Sequence, residues 1–174
     1  MTVSIPIHEG LQYRLKEIQW SGNSVMPTAD LSKNIHLKVG EAANGVQLRE
    51  DLNSIRSLYG RRGYIMAAIR PDPNFQDEMQ TVAYRLEVQE GDLYRMGKFE
   101  VRGVDPSLAE TLQKLFRPQT GEPFDAEFQK PYFLEMARYL PKNLLAGNVN
   151  FRITPNLGAK TVDVTLSFAP RSSP

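Results

Sequence analysis

Apolar residues in this chain alternate in some stretches and step at helical spacing in others, and the order of stretches occurs twice. Val82, Tyr84, Leu86 and Val88 keep strict period two, which predicts a half-buried strand. Val162, Val164, Leu166 and Phe168 repeat that pattern later. Leu48, Leu52, Ile55, Leu58 and Tyr59 fall at helical spacing and predict a helix over Gln47–Tyr59. Arg49, Glu50, Asp51, Asn53, Arg56 and Ser57 form its expected solvent face. The later counterpart is expected to start at Pro131, carry Phe133, Met136, Tyr139 and Leu140 inward, and stop at Pro141. Each copy opens with a strand whose phase slips by one residue. Tyr13 and Leu15 share one face before Ile18 and Trp20, as Tyr94 and Met96 do before Phe99 and Val101, which predicts a bulge or a kinked entry into the strand. A short helix follows, with Pro27 in its first turn in one copy and Asp105-Pro106 as N-cap and N1 in the other.

Glu9-Gly10-Leu11-Gln12-Tyr13-Arg14 and Glu90-Gly91-Asp92-Leu93-Tyr94-Arg95 lie 81 residues apart. The same offset joins Gly22 to Gly103, Leu31 to Leu112, Lys33 to Lys114 and Gly40-Glu41 to Gly121-Glu122, the signature of a tandem duplication. Each copy reads strand–helix–helix–strand–strand. The predicted fold class is therefore α+β: two tandem β-α-α-β-β domains, each a three-stranded mixed sheet covered on one face by two helices. The boundaries fall at 11–91 and 92–170, with 171–174 as a tail. Val3, Ile5 and Ile7 align with Tyr84, Leu86 and Val88, so residues 1–10 read as the closing strand of an earlier copy and the chain as a fragment of a longer array.

Composition narrows the function classes. The 174 residues are 41% hydrophobic and 24% charged, with a net charge of +1, which gives no global attraction for nucleic acid or acidic lipid. The chain has no cysteine, which removes thiol chemistry and thiolate metal sites. His8 and His36 lie in different elements and have no metal-ligand spacing. No serine has a histidine and acid constellation, and Asp72, Asp77 and Glu78 fall in an expected turn. We expect no enzymatic activity, no cofactor and no metal.

The joint spacing of several short motifs resembles the POTRA (polypeptide-transport-associated) domain. These are Gly10 to Tyr13, Gly22-Asn23, Gly40, Leu58-Tyr59 through Gly63-Tyr64, and Val88 through Gly91. The second copy keeps Gly91 to Tyr94, Gly103 and Gly121, but has Leu144-Leu145 in place of Gly-Tyr and Ala169-Pro170 in place of Glu-Gly. The resemblance implies modules at the periplasmic face of the outer membrane, preceding a β-barrel, in assembly and secretion machines. The implied partners are extended outer-membrane protein segments, other machine subunits and neighbouring POTRA domains.

Two stretches are candidate binding sites. Tyr64, Ile65, Met66, Ala67, Ala68 and Ile69 read as a strand with few charges, at the position that the resemblance makes a sheet edge. An exposed edge offers unpaired backbone groups to another chain. The alternative is Gly60-Arg61-Arg62-Gly63, a Gly-x-x-Gly loop whose Arg61 and Arg62 would contact a phosphate backbone, as in KH domains. The same four residues also read as a helix C-cap and turn, and no nucleic acid is expected as a partner.

Overall fold

The computed structural model describes residues 10–145 and 148–169. Residues 1–9 of the expected closing strand, with His8, and the tail lie outside these. The described residues form two compact units. One holds residues up to Arg56 together with Ala68–Glu90, and the other holds Ser57–Ala67 together with residues from Gly91 on.

In the first unit, β1 (Arg14–Ser21), α1 (Thr28–Ser32), α2 (Gly45–Arg61, whose last turn groups with the second unit), β2 (Ala68–Gln76) and β3 (Thr81–Gln89) follow in order. The sheet order is β1-β3-β2, with β1 parallel and β2 antiparallel to β3. A parallel neighbour needs a crossover, and α1 and α2 supply it. The alternation in β3 is real: Val82, Tyr84, Leu86 and Val88 are buried, as are Leu31, Leu48, Leu52 and Ile55 of the helices. The predicted bulge is a register shift between Leu15 and Glu17.

The second unit repeats this plan with β4 (Arg95–Arg102), α3 (Pro106–Leu115), α4 (Gln129–Met136), α5 (Lys142–Leu145), β5 (Asn148–Asn156) and β6 (Thr161–Ala169). Its sheet order is β4-β6-β5, and β4 shifts register between Met96 and Phe99. Asp105 caps α3 as predicted, its Oδ1 accepting the Leu108 N–H at 2.9 Å, with Pro106 in the first turn. The core gathers Phe116, Phe124, Phe128, Tyr132 and Met136 over Val162, Val164 and Leu166.

Three expectations need correction. Asp51 is 1% exposed, not on the solvent face, because the His36 N–H and Nδ1 and Gln47 Nε2 reach its carboxylate at 2.7–2.9 Å. The α4 stripe is Phe128, Tyr132, Met136 and Leu140, whereas Phe133 and Tyr139 are 41% and 51% exposed. Tyr132 takes the inward position because its ring packs among Phe99, Phe116 and Phe151 while its hydroxyl donates to the Leu112 carbonyl at 2.8 Å. Finally, Tyr64–Ala67 is a turn, closed by the Ala67 N–H on Tyr64 O, and the strand starts at Ala68 and runs through Pro71 and Pro73 to Gln76.

Candidate functional site

The second strand of each repeat, β2 or β5, is an edge of its sheet. In an antiparallel pair, successive residues turn their N–H and C=O alternately toward the partner and away from it. Proline has no N–H to give, so it is tolerated where the N–H would face away. Pro71 lies opposite Leu86, Pro73 opposite Tyr84, and Pro155 opposite Val162. All three are odd-numbered, which assigns the outward groups to Ile69, Pro71, Pro73 and Phe75 in β2, and to Val149, Phe151, Ile153 and Pro155 in β5.

The two edges therefore differ. In β2 the two central outward donors are absent, and Arg56 Nη2 donates to the Ile69 carbonyl at 3.2 Å, so that outward acceptor is already engaged. These are two of the devices by which edges are blunted. In β5, Val149, Phe151 and Ile153 offer three outward donors in succession before Pro155. A groove of about 440 Å³ runs beside them, lined by Ala126, Lys130, Phe133, Leu134, Val149 and Phe151. Leu134 is 63% exposed there. An extended chain laid along β5 would gain main-chain bonds on one side and apolar contact on the other.

Of the six edge residues expected from sequence, only Ala68 and Ile69 belong to a strand, and Ile69 is buried. Met66 is exposed, and Ile65 packs against the core of the second unit. The β5 signal was present in the alternation of Val149, Phe151 and Ile153, but an edge is set by strand order, which no single segment encodes.

Gly60–Gly63 forms a helix C-cap. Tyr64 N–H donates to Tyr59 O at 3.0 Å, Gly63 N–H donates to Gly60 O at 3.2 Å, and Gly63 has φ +90°, the Schellman pattern. The Arg61 and Arg62 side chains are exposed beside it. The His36 side chain is 69% exposed, with Nδ1 on Asp51. Burial pushes the Asp51 carboxyl up, but the hydrogen bonds from His36 and Gln47 outweigh it and hold the group below the usual carboxylate range. Asp77 accepts the Tyr13 hydroxyl at 2.8 Å. Among the described residues, no three His, Cys, Asp or Glu side chains converge to hold a metal ion, and no helix is long and apolar enough to cross a membrane.

The POTRA family model, described as surface antigen variable number repeat, matches residues 13–91. The chain aligns over 99% of its length with outer membrane protein assembly factor BamA of Neisseria meningitidis, at 25% identity. Residues 13–91 are a POTRA domain, and the second unit repeats its order of strands and helices. Solved POTRA domains share the fold of both units. POTRA3-5 of Haemophilus influenzae BamA superposes with a TM-score of 0.70 at 27% identity, over 92% of this chain and 62% of that one. BamA of Haemophilus ducreyi lacking POTRA domains 1-3 gives 0.74 at 21% identity, over 91% of this chain and 30% of that one. The chain spans about a fifth of the curated relatives it matches, 21% of the Neisseria protein and 20% of a putative assembly factor of Treponema pallidum.

Proposed function

We propose that this chain is a binding scaffold at the periplasmic face of the outer membrane, which captures client or partner polypeptides by strand addition during outer-membrane protein assembly or secretion. The process and the compartment rest on the similarity to outer-membrane assembly factors. The proposed partners are extended segments of barrel proteins, other subunits of the machine, neighbouring POTRA domains and a β-barrel in the same polypeptide.

The observation that carries the binding mode is the unblunted β5 edge, with its three consecutive outward donors beside Phe133 and Leu134. Main-chain pairing supplies affinity while reading little sequence, which suits clients of differing sequence. The β2 edge has little left to offer, because Pro71 and Pro73 lack outward donors and Arg56 engages the outward carbonyl of Ile69. The test is binding of an extended barrel-protein peptide across a salt series. Strand pairing should depend weakly on salt, whereas a phosphate ligand held by Arg61 and Arg62 would be lost steeply.

A further inference from the structure

The duplication extends to individual hydrogen bonds. Leu15 N–H donates to Glu41 O and Gly40 N–H to Leu15 O; Met96, Glu122 and Gly121 repeat both bonds, all four at 2.8 Å. Ala43 N–H donates to Tyr13 O, and Phe124 N–H to Tyr94 O, both at 2.9 Å. Asn44 Oδ1 accepts the Val46 N–H at 3.0 Å, and Asp125 Oδ1 accepts the Glu127 N–H at 2.8 Å. Tyr13, Ala43, Asn44 and Gly45 are thus the geometric counterparts of Tyr94, Phe124, Asp125 and Ala126.

Within the second unit this surface is covered by the Gly60–Gly63 helix end. Tyr94 N–H donates to Gly63 O at 2.8 Å, and Ala126 N–H donates to Gly60 O at 3.1 Å. The fit requires a glycine at Gly63, whose φ is +90°, and leaves only tight room for a side chain at Gly60. A Cβ on Gly63 would stand 2.6 Å from Tyr94 O, and one on Gly60 would stand 3.2 Å from the Ala126 Cβ. In the first unit the same surface is a groove of about 450 Å³, lined by Leu11, Tyr13, Ala43, Asn44 and Phe75 among others. Leu11 is 56% and Phe75 51% exposed. The matching donors, Tyr13 N–H and Gly45 N–H, have no acceptor among the described residues.

We propose that this groove is the seat of a Gly-x-x-Gly helix end from a repeat that precedes the first unit in the same polypeptide. Its two glycine carbonyls would accept from Tyr13 and Gly45, as Gly63 and Gly60 do for Tyr94 and Ala126. A preceding repeat is the occupant that the sequence favours, because Val3, Ile5, Ile7 and Glu9-Gly10 continue the repeat pattern upstream. The first unit needs no side chain at Gly45, so the approach there is even less hindered than at Ala126.

Amide hydrogen exchange tests this without reference to client capture, so the seat and the β5 edge stand or fall separately. In the 174-residue chain, Tyr94 and Ala126 should be protected while Tyr13 and Gly45 exchange freely. In a polypeptide extended upstream by such a repeat, Tyr13 and Gly45 should slow by at least about tenfold. Gly45→Pro in that longer chain removes one donor at a helix position that suits proline, and should return Tyr13 toward free exchange. Free exchange of Tyr13 in the longer chain would overturn the proposal. So would Tyr13 protection unaffected by Gly45→Pro. Protection in the 174-residue chain that rises with concentration would give the seat to a second copy and equally overturn it.

Discussion

Glu90 reaches back across the first unit to Ser24, whose hydroxyl donates to its carboxylate at 2.5 Å, while the Val25 N–H donates to the other oxygen at 2.8 Å. Glu90 is 9% exposed, and its carboxylate ties the loop after β1 to the chain just after β3. The Gly-Asn and Glu-Gly motifs, far apart in sequence, are therefore one structural device. Glu90→Ala should cost about 1–3 kcal/mol, because the Ser24 hydroxyl and the Val25 N–H both lose a charged acceptor, and Ser24→Ala should cost less. Urea unfolding checks both, and equal small losses would show the clamp to be slack.

Gly22 tests the same loop from the backbone. Its φ is +78°, and an added Cβ would stand 2.2 Å from the Val88 carbonyl oxygen. Gly40 has φ +87° with nothing within 4 Å. Left-handed strain alone costs about 1–2 kcal/mol, which Gly40→Ala should show. Gly22→Ala should exceed it because strand ends must separate as well. Indistinguishable melting shifts would contradict that ordering.

Asp51 makes stability depend on pH. Its folded pKa lies below the ordinary carboxylate value, so its contribution is complete above that ordinary value and is lost as pH falls through the folded pKa. The denaturant midpoint of the first unit should decline on acidification below about pH 4, and Asp51→Asn should flatten that decline. An unchanged acid limb in Asp51→Asn would assign the effect to other carboxylates.

Tyr132 and Phe133 separate the two registers of α4. Tyr132→Ala should cost about 3–5 kcal/mol, as buried aromatic truncations do, and Phe133→Ala far less. Leu52→Ala, within the α2 stripe, should fall at about 2–5 kcal/mol, while Arg61→Ala should be nearly neutral. A larger loss for Phe133→Ala would restore the register expected from periodicity.

That register shows where sequence reasoning stopped. The 81-residue offset aligns the first halves of the repeats down to single hydrogen bonds, but β3 and β6 align at 80, Val82 with Val162 and Leu86 with Leu166. Carrying one offset through α4 put Phe133 under Leu52, where Tyr132 belongs. Period-two patterning made β3 and β6 legible because their neighbours solvate one face only. The two prolines hid the length of β2, since tolerance of proline depends on which way each N–H points. Asp51 was misplaced because its partner, the His36 backbone, is supplied by a loop.

The central claim is strand capture at β5, and Ile153→Pro tests it most directly. Ile153 is 36% exposed, and its N–H faces away from β6, as Pro155 shows for that class of position. Proline there removes one outward donor and leaves the ladder to β6 intact. Binding of an extended barrel-protein peptide should weaken by roughly 3–10-fold, the worth of one net hydrogen bond, at low and high salt alike. Equal binding by wild type and Ile153→Pro, or binding abolished by salt alone, would contradict the account.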